Sequence, residues 1–76
     1  MPGQLPRLSG RAAVKAFGRD GWQIARQKGS HIILVKDGSW ATLSVPDHRD
    51  LAPGTLRSLI RAAGLTVEAF VALTKK

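Results

Sequence analysis

An α+β fold, with a three-stranded antiparallel sheet carrying helices on one face, is predicted by three features of this sequence. Apolar residues recur at helical spacing near both ends of the chain, alternate at strand spacing through its middle, and change regime at Gly- and Pro-containing breaks. At 76 residues the chain supports one small core, so every element must share it. The expected order is α-β-β-β-α with a short extra C-terminal helix. It forms a single domain over 1–76, with loose ends expected at 1–8 and 74–76.

Ser9 is placed to cap a first helix from Gly10 to Phe17, with Gly18 or Gly21 ending it. Ala13, Val14, Ala16 and Phe17 form its apolar stripe, while Arg7, Arg11, Lys15 and Arg19 recur every fourth residue as a basic ridge. A first strand is expected over Trp22–Arg26, with Gln27-Lys28-Gly29-Ser30 as a loop. His31–Lys36 and Ser39–Val45 flank Asp37-Gly38, the dipeptide best suited to a two-residue hairpin turn. That turn would pair Lys36 with Ser39, Val35 with Trp40, Leu34 with Ala41, Ile33 with Thr42, Ile32 with Leu43 and His31 with Ser44. Alternation then gives an apolar face of Ile32, Leu34, Ala41, Leu43 and Val45 for the helices. The opposite face carries His31, Ile33, Val35, Trp40, Thr42 and Ser44. After the break at Pro46–Asp50, Pro53 enters a helix whose Leu56, Leu59, Ile60 and Ala63 make one stripe, ended by Gly64. Thr66 caps the last helix, where Val67, Phe70, Val71 and Leu73 close the core.

Twelve Lys and Arg against five Asp and Glu leave a formal charge of +7, which draws polyanions toward so small a body. The longest apolar run, Ile32–Val35, falls far short of the roughly 20 residues that span a bilayer, so a membrane is the poorest of the candidate partners. Met1-Pro2-Gly3-Gln4 leads into no apolar stretch of the signal-peptide kind, and a place in the cytoplasm is expected. With no cysteine, disulfides, thiolate nucleophiles and cysteine-based zinc sites are excluded. No metal or other cofactor is expected. Asp47, His48 and Asp50 lack metal-loop spacing, and the two carboxylates suit turn and helix-start geometry.

Chemistry therefore falls to histidine. His31 lies next to Ser30 and near Arg26 and Lys28, on the sheet face that the helices leave open. RNA carries its own nucleophile, the 2′-hydroxyl, so a small protein cleaving it needs a proton carrier, positive charge for the phosphorane and a surface for the strand. The plainer alternative is a strand-edge histidine beside ordinary loop charges. A non-catalytic RNA-binding module would instead use Arg11, Lys15, Arg57 and Arg61 on the phosphate backbone. A third possibility is an interaction protein whose basic face meets an acidic partner. Trp40 and Ile33, exposed together on that face, fit such a contact.

Arg26-Gln27-Lys28-Gly29-Ser30-His31, Val45-Pro46-Asp47-His48, Leu51-Ala52-Pro53-Gly54-Thr55-Leu56 and Ala63-Gly64-Leu65 with Phe70 occur in that order. Together they resemble the HicA toxins of type II toxin–antitoxin systems, over about residues 9–73. The resemblance implies a fold like the double-stranded RNA-binding domain and a metal-independent mRNA interferase, an endoribonuclease inhibited by a HicB-like antitoxin. It implies His31 as the catalytic residue, Gly29 and Ser30 as the rest of its motif, and His48 as an accessory position. An antitoxin over Trp40 and Ile33 would block His31 and bury the apolar patch together.

Overall fold

A computed structural model describes residues 5–75. Helix α1 (Gly10–Gly18) is followed by strands β1 (Gln23–Lys28), β2 (His31–Val35) and β3 (Leu43–Pro46), then helices α2 (Pro53–Ala62) and α3 (Val67–Thr74). The strands form one antiparallel sheet in the order β1-β2-β3. This is the expected α+β architecture, compatible with a double-stranded-RNA-binding-domain-like fold.

The helix boundaries follow from local chemistry. Ser9 Oγ accepts from the Ala12 N–H at 3.0 Å, and Thr66 Oγ1 does the same for Ala69 at 3.0 Å, each satisfying an otherwise unpaired donor of a first turn. α2 has no side-chain cap; Pro53 at its start instead supplies a preset helical φ and no surplus N–H. Ala13, Ala16 and Phe17 from α1, Leu56, Leu59 and Ile60 from α2, and Phe70 from α3 are buried against Ile32, Leu34, Leu43 and Val45. The rings of Phe17 and Phe70, 4.9 Å between centroids, join α1 to α3. Burying each such side chain is worth about 1.5–3 kcal/mol, so this one cluster carries the fold.

The hairpins differ from expectation in an instructive way. The tight turn is Gly29-Ser30, closed by Lys28 opposite His31, rather than part of a four-residue loop. Gly29 has φ +59° and Ser30 does not take positive φ, the type II′ pattern whose twist matches paired strands. Asp37-Gly38 does not form a two-residue hairpin. Gly38 alone has φ +82° and Ser39 N–H bonds to Lys36 carbonyl at 3.1 Å, a type II pattern that splays the flanking chain. Residues 36–42 therefore form an open loop, and the register is His31 with Pro46, Ile32 with Val45, Ile33 with Ser44 and Leu34 with Leu43. The expected pairing of β2 with β3 is corrected by two residues. An even slip preserves faces, which is why Ile32, Leu34, Leu43 and Val45 still point into the core.

β1 starts one residue late and runs on through Lys28. Trp22 is buried just before it, whereas Ile24 remains 60% exposed, so the two do not share the core. The physical reason is that α1 and α2 pack chiefly over β3, leaving the distal strand uncovered, and a bulge between Ile24 and Arg26 shifts its pleat. At the N-terminal end, Leu5 and Leu8 pack against the core and Leu8 carbonyl accepts from Leu51 N–H. Residues 1–4 and 76 lie outside the described residues; Thr74 closes α3.

Of the described glycines, Gly10 is the most closely approached. Its N–H donates to His48 carbonyl at 2.8 Å, and a Cβ placed on it would lie 1.9 Å from Pro46 carbonyl oxygen. Alanine favours a helix in solvent, but here backbone must move to admit it. Gly10→Ala is expected to cost about 2 kcal/mol or more, lowering the thermal midpoint by roughly 10 °C; an unchanged midpoint in a melting experiment would contradict the close approach.

Candidate nucleic-acid interface

His31 opens β2 immediately after the Gly29-Ser30 turn. Because Ile32 and Leu34 face the core, His31, Ile33 and Val35 face the other way, and His31 is exposed. Lys28 lies directly opposite His31, and the bulge in β1 brings Arg26 opposite Ile33 on the same open face. Neither cation makes an ion pair among the described residues. An imidazole and two cations without an ion pair among the described residues thus share one solvent-facing surface.

The turn that carries His31 is anchored from the far side of the sheet. Asp47 N–H donates to Ser30 carbonyl at 2.7 Å, continuing the β2–β3 ladder past Pro46, which has no N–H of its own. The Asp47 carboxylate accepts from Arg11 at 3.0 Å and from Gln27 Nε2 at 3.5 Å. α1, β1 and the segment after β3 therefore converge on one carboxylate beside the turn. On the open face, Ser44 Oγ lies 3.4 Å from His31 Nδ1. The sequence reading paired Ser44 directly with His31; in the observed register it is the diagonal neighbour, still within reach of a histidine ring.

The other expected site residues are distributed differently. Arg11 is committed to Asp47, Arg7 pairs with Asp50, and Arg19 donates to Leu73 carbonyl at 2.7 Å. The basic ridge of α1 thus mostly laces the helix to its surroundings, leaving Lys15 as its member without an ion pair or side-chain hydrogen bond among the described residues. Arg57 and Arg61 are likewise exposed and without an ion pair among the described residues, but with Lys15 they ride on helices over the opposite face of the sheet from His31. His48 is exposed, and its contribution is its carbonyl, which receives the Gly10 N–H. Trp40 is fully exposed in the 36–42 loop, at the other end of β2 from His31. Four residue steps of strand separate the two ends, about 13 Å. Ile33 is half-buried between them.

Among the described residues, no group of three His, Asp or Glu side chains comes together as a metal would require. No helix among them is long and apolar enough to cross a membrane. Ser44, Gln27 and Asp47 are the neighbours of the site that sequence reasoning did not assign to it. Asp47 and Gln27 carry no sequence signal for this role, because their contact joins residues far apart in the chain.

A small basic α+β protein, presenting a histidine and unpaired cations on an open sheet face, is the class that these features define. The family model described as the HicA toxin of bacterial toxin–antitoxin matches residues 10–65, and the chain belongs to that toxin family. Its members are ribonuclease-type toxins in general. No curated protein matches the sequence significantly.

Proposed function

We propose that this toxin is a metal-independent endoribonuclease that cleaves mRNA in the cytoplasm with His31 and is held inactive by a HicB-like antitoxin. The observation that carries the reading is the juxtaposition of exposed His31 with Lys28 and Arg26 on the sheet face away from the helices. An imidazole takes and gives protons near neutral pH, so His31 serves the transfer between the 2′-hydroxyl and the departing 5′-oxygen. Lys28 and Arg26 stabilise charge on the phosphorane, while Gly29 and Ser30 allow the strand close to the turn. Attack by the 2′-oxygen forms a 2′,3′-cyclic phosphate as the phosphorus–5′-oxygen bond breaks. Lys15, Arg57 and Arg61 attract RNA from a distance without touching the reacting phosphate.

Purified protein incubated with RNA and a chelator is expected to yield fragments ending in a 2′,3′-cyclic phosphate. His31→Ala is expected to slow this by roughly a hundredfold or more, the contribution typical of a general acid or base. Equal cleavage by both proteins would refute the role of His31, and loss of activity in chelator alone would refute the metal-independent route. Intact RNA with salt-sensitive binding would instead favour the non-catalytic binding module.

The antitoxin covers the open face. Fully exposed Trp40 and half-buried Ile33 offer the apolar contact, since an exposed aromatic side chain is the kind of anchor that a partner buries most profitably. Trp40→Glu is expected to weaken antitoxin binding by about tenfold or more, measured by titration calorimetry; unchanged affinity would remove Trp40 from the interface.

A further inference from the structure

The only side-chain hydrogen bond that the His31 ring makes among the described residues is to Ser44, with Oγ 3.4 Å from Nδ1. Three features of the sheet produce it. Directly opposite His31 stands Pro46, whose side chain offers no polar group. Ile33, two residues along β2 on the same face, stands opposite Ser44, so Ser44 is the polar group that the diagonal of the sheet offers to the ring. Lys28, the partner of His31 on β1, is a cation and leaves the ring without an acceptor on that side.

We infer that Ser44 is a positioning residue for His31: its hydroxyl accepts the Nδ1–H and so presents the Nε2 lone pair to the substrate. The inference rests on the proposed ribonuclease reading and deepens it, because it makes His31 the base that takes the 2′-hydroxyl proton. A neutral imidazole carries one N–H, and the bond at one ring nitrogen decides what the other can do. With Nδ1–H bonded to Ser44 Oγ, Nε2 accepts the substrate proton and the Nδ1–H bond persists in the resulting imidazolium. The same hydrogen bond fixes the ring's rotation on an exposed strand end, where no other side-chain hydrogen bond to it is present among the described residues. Ser44 itself is exposed on β3 and outside the core, so its removal takes no apolar packing from the fold.

Two measurements on the full chain test this. The first is the ¹⁵N chemical shifts of the His31 ring, which report the share of each tautomer and need no activity. Ser44→Ala is expected to reduce the Nδ1–H share at His31 while the shifts of His48 stay fixed, and Ser44→Thr, which keeps a hydroxyl, is expected to restore it. The second is RNA cleavage, in which Ser44→Ala is expected to lower kcat roughly tenfold, the scale on which groups that orient a functional histidine act. KM should change less than twofold, Ser44→Thr should recover most of the rate, and the thermal midpoint should not move. Unchanged His31 shifts in Ser44→Ala would overturn the inference whatever the activity. Altered shifts with an unaltered kcat would overturn its catalytic part. If the unmodified protein cuts no RNA, the ribonuclease reading fails and the catalytic part with it, and the ring shifts alone then decide whether Ser44 holds His31.

Discussion

The close meeting of two backbone segments, the start of α1 at Gly10 and the stretch Pro46–His48 after β3, is the contact on which the site depends. Gly10 N–H reaches His48 carbonyl, and Asp47 N–H reaches Ser30 carbonyl. These two bonds connect the helical layer to the turn that carries His31. Without them the Gly29-Ser30 turn would rest on its two strands alone, β1, which has no helix packed closely upon it, and β2, whose Ile32 and Leu34 enter the core only beyond His31. Arg11 and Gln27 reinforce the junction from neighbouring elements by sharing the Asp47 carboxylate. Exposed ion pairs of this kind contribute little individually. Their value here is geometric, since they converge on one atom next to the turn.

This junction also explains how a protein with one small core can hold a site on the side of the sheet that the core does not touch. Ile32, Leu34, Leu43 and Val45 fix the sheet from beneath, and the pleat then sends His31 and Ile33 outward with no further apolar burial required. The large positive charge divides in the same manner. Part of it is neutralised in ion pairs between elements, where Arg7, Arg11 and Lys36 meet Asp50, Asp47 and Asp20. Arg26 and Lys28 make no ion pair among the described residues and stand at the surface, where a polyanion would meet them.

Element order, capping residues and the core face were legible in the sequence because each depends on local chemistry: Ser9 and Thr66 as caps, Pro53 at a helix start, alternation in β2. The positions of the two hairpin turns were not. Asp37-Gly38 has the composition of a two-residue turn but adopts a type II pattern, while Gly29-Ser30, the less conspicuous dipeptide, makes the tight one. For the residues that stay in strands the face assignment survived because the error in register was even, whereas Trp40, Ala41 and Thr42, expected on the two faces of the sheet, lie in the 36–42 loop. The open-face position of His31 was legible for that reason, but its diagonal relation to Ser44 depended on the true register. The requirement for glycine at position 10 was hidden as well, since its cause is a carbonyl that lies far away in sequence.

Native-state hydrogen exchange at the Gly10 and Asp47 amides reads directly whether the His31 turn is fastened to the helical layer. Both are predicted to exchange only through openings that also expose β2, with protection close to that of Ile32 and Leu34 and a similar denaturant dependence. Exchange of either amide at the unprotected rate of the Trp40 loop would contradict the account.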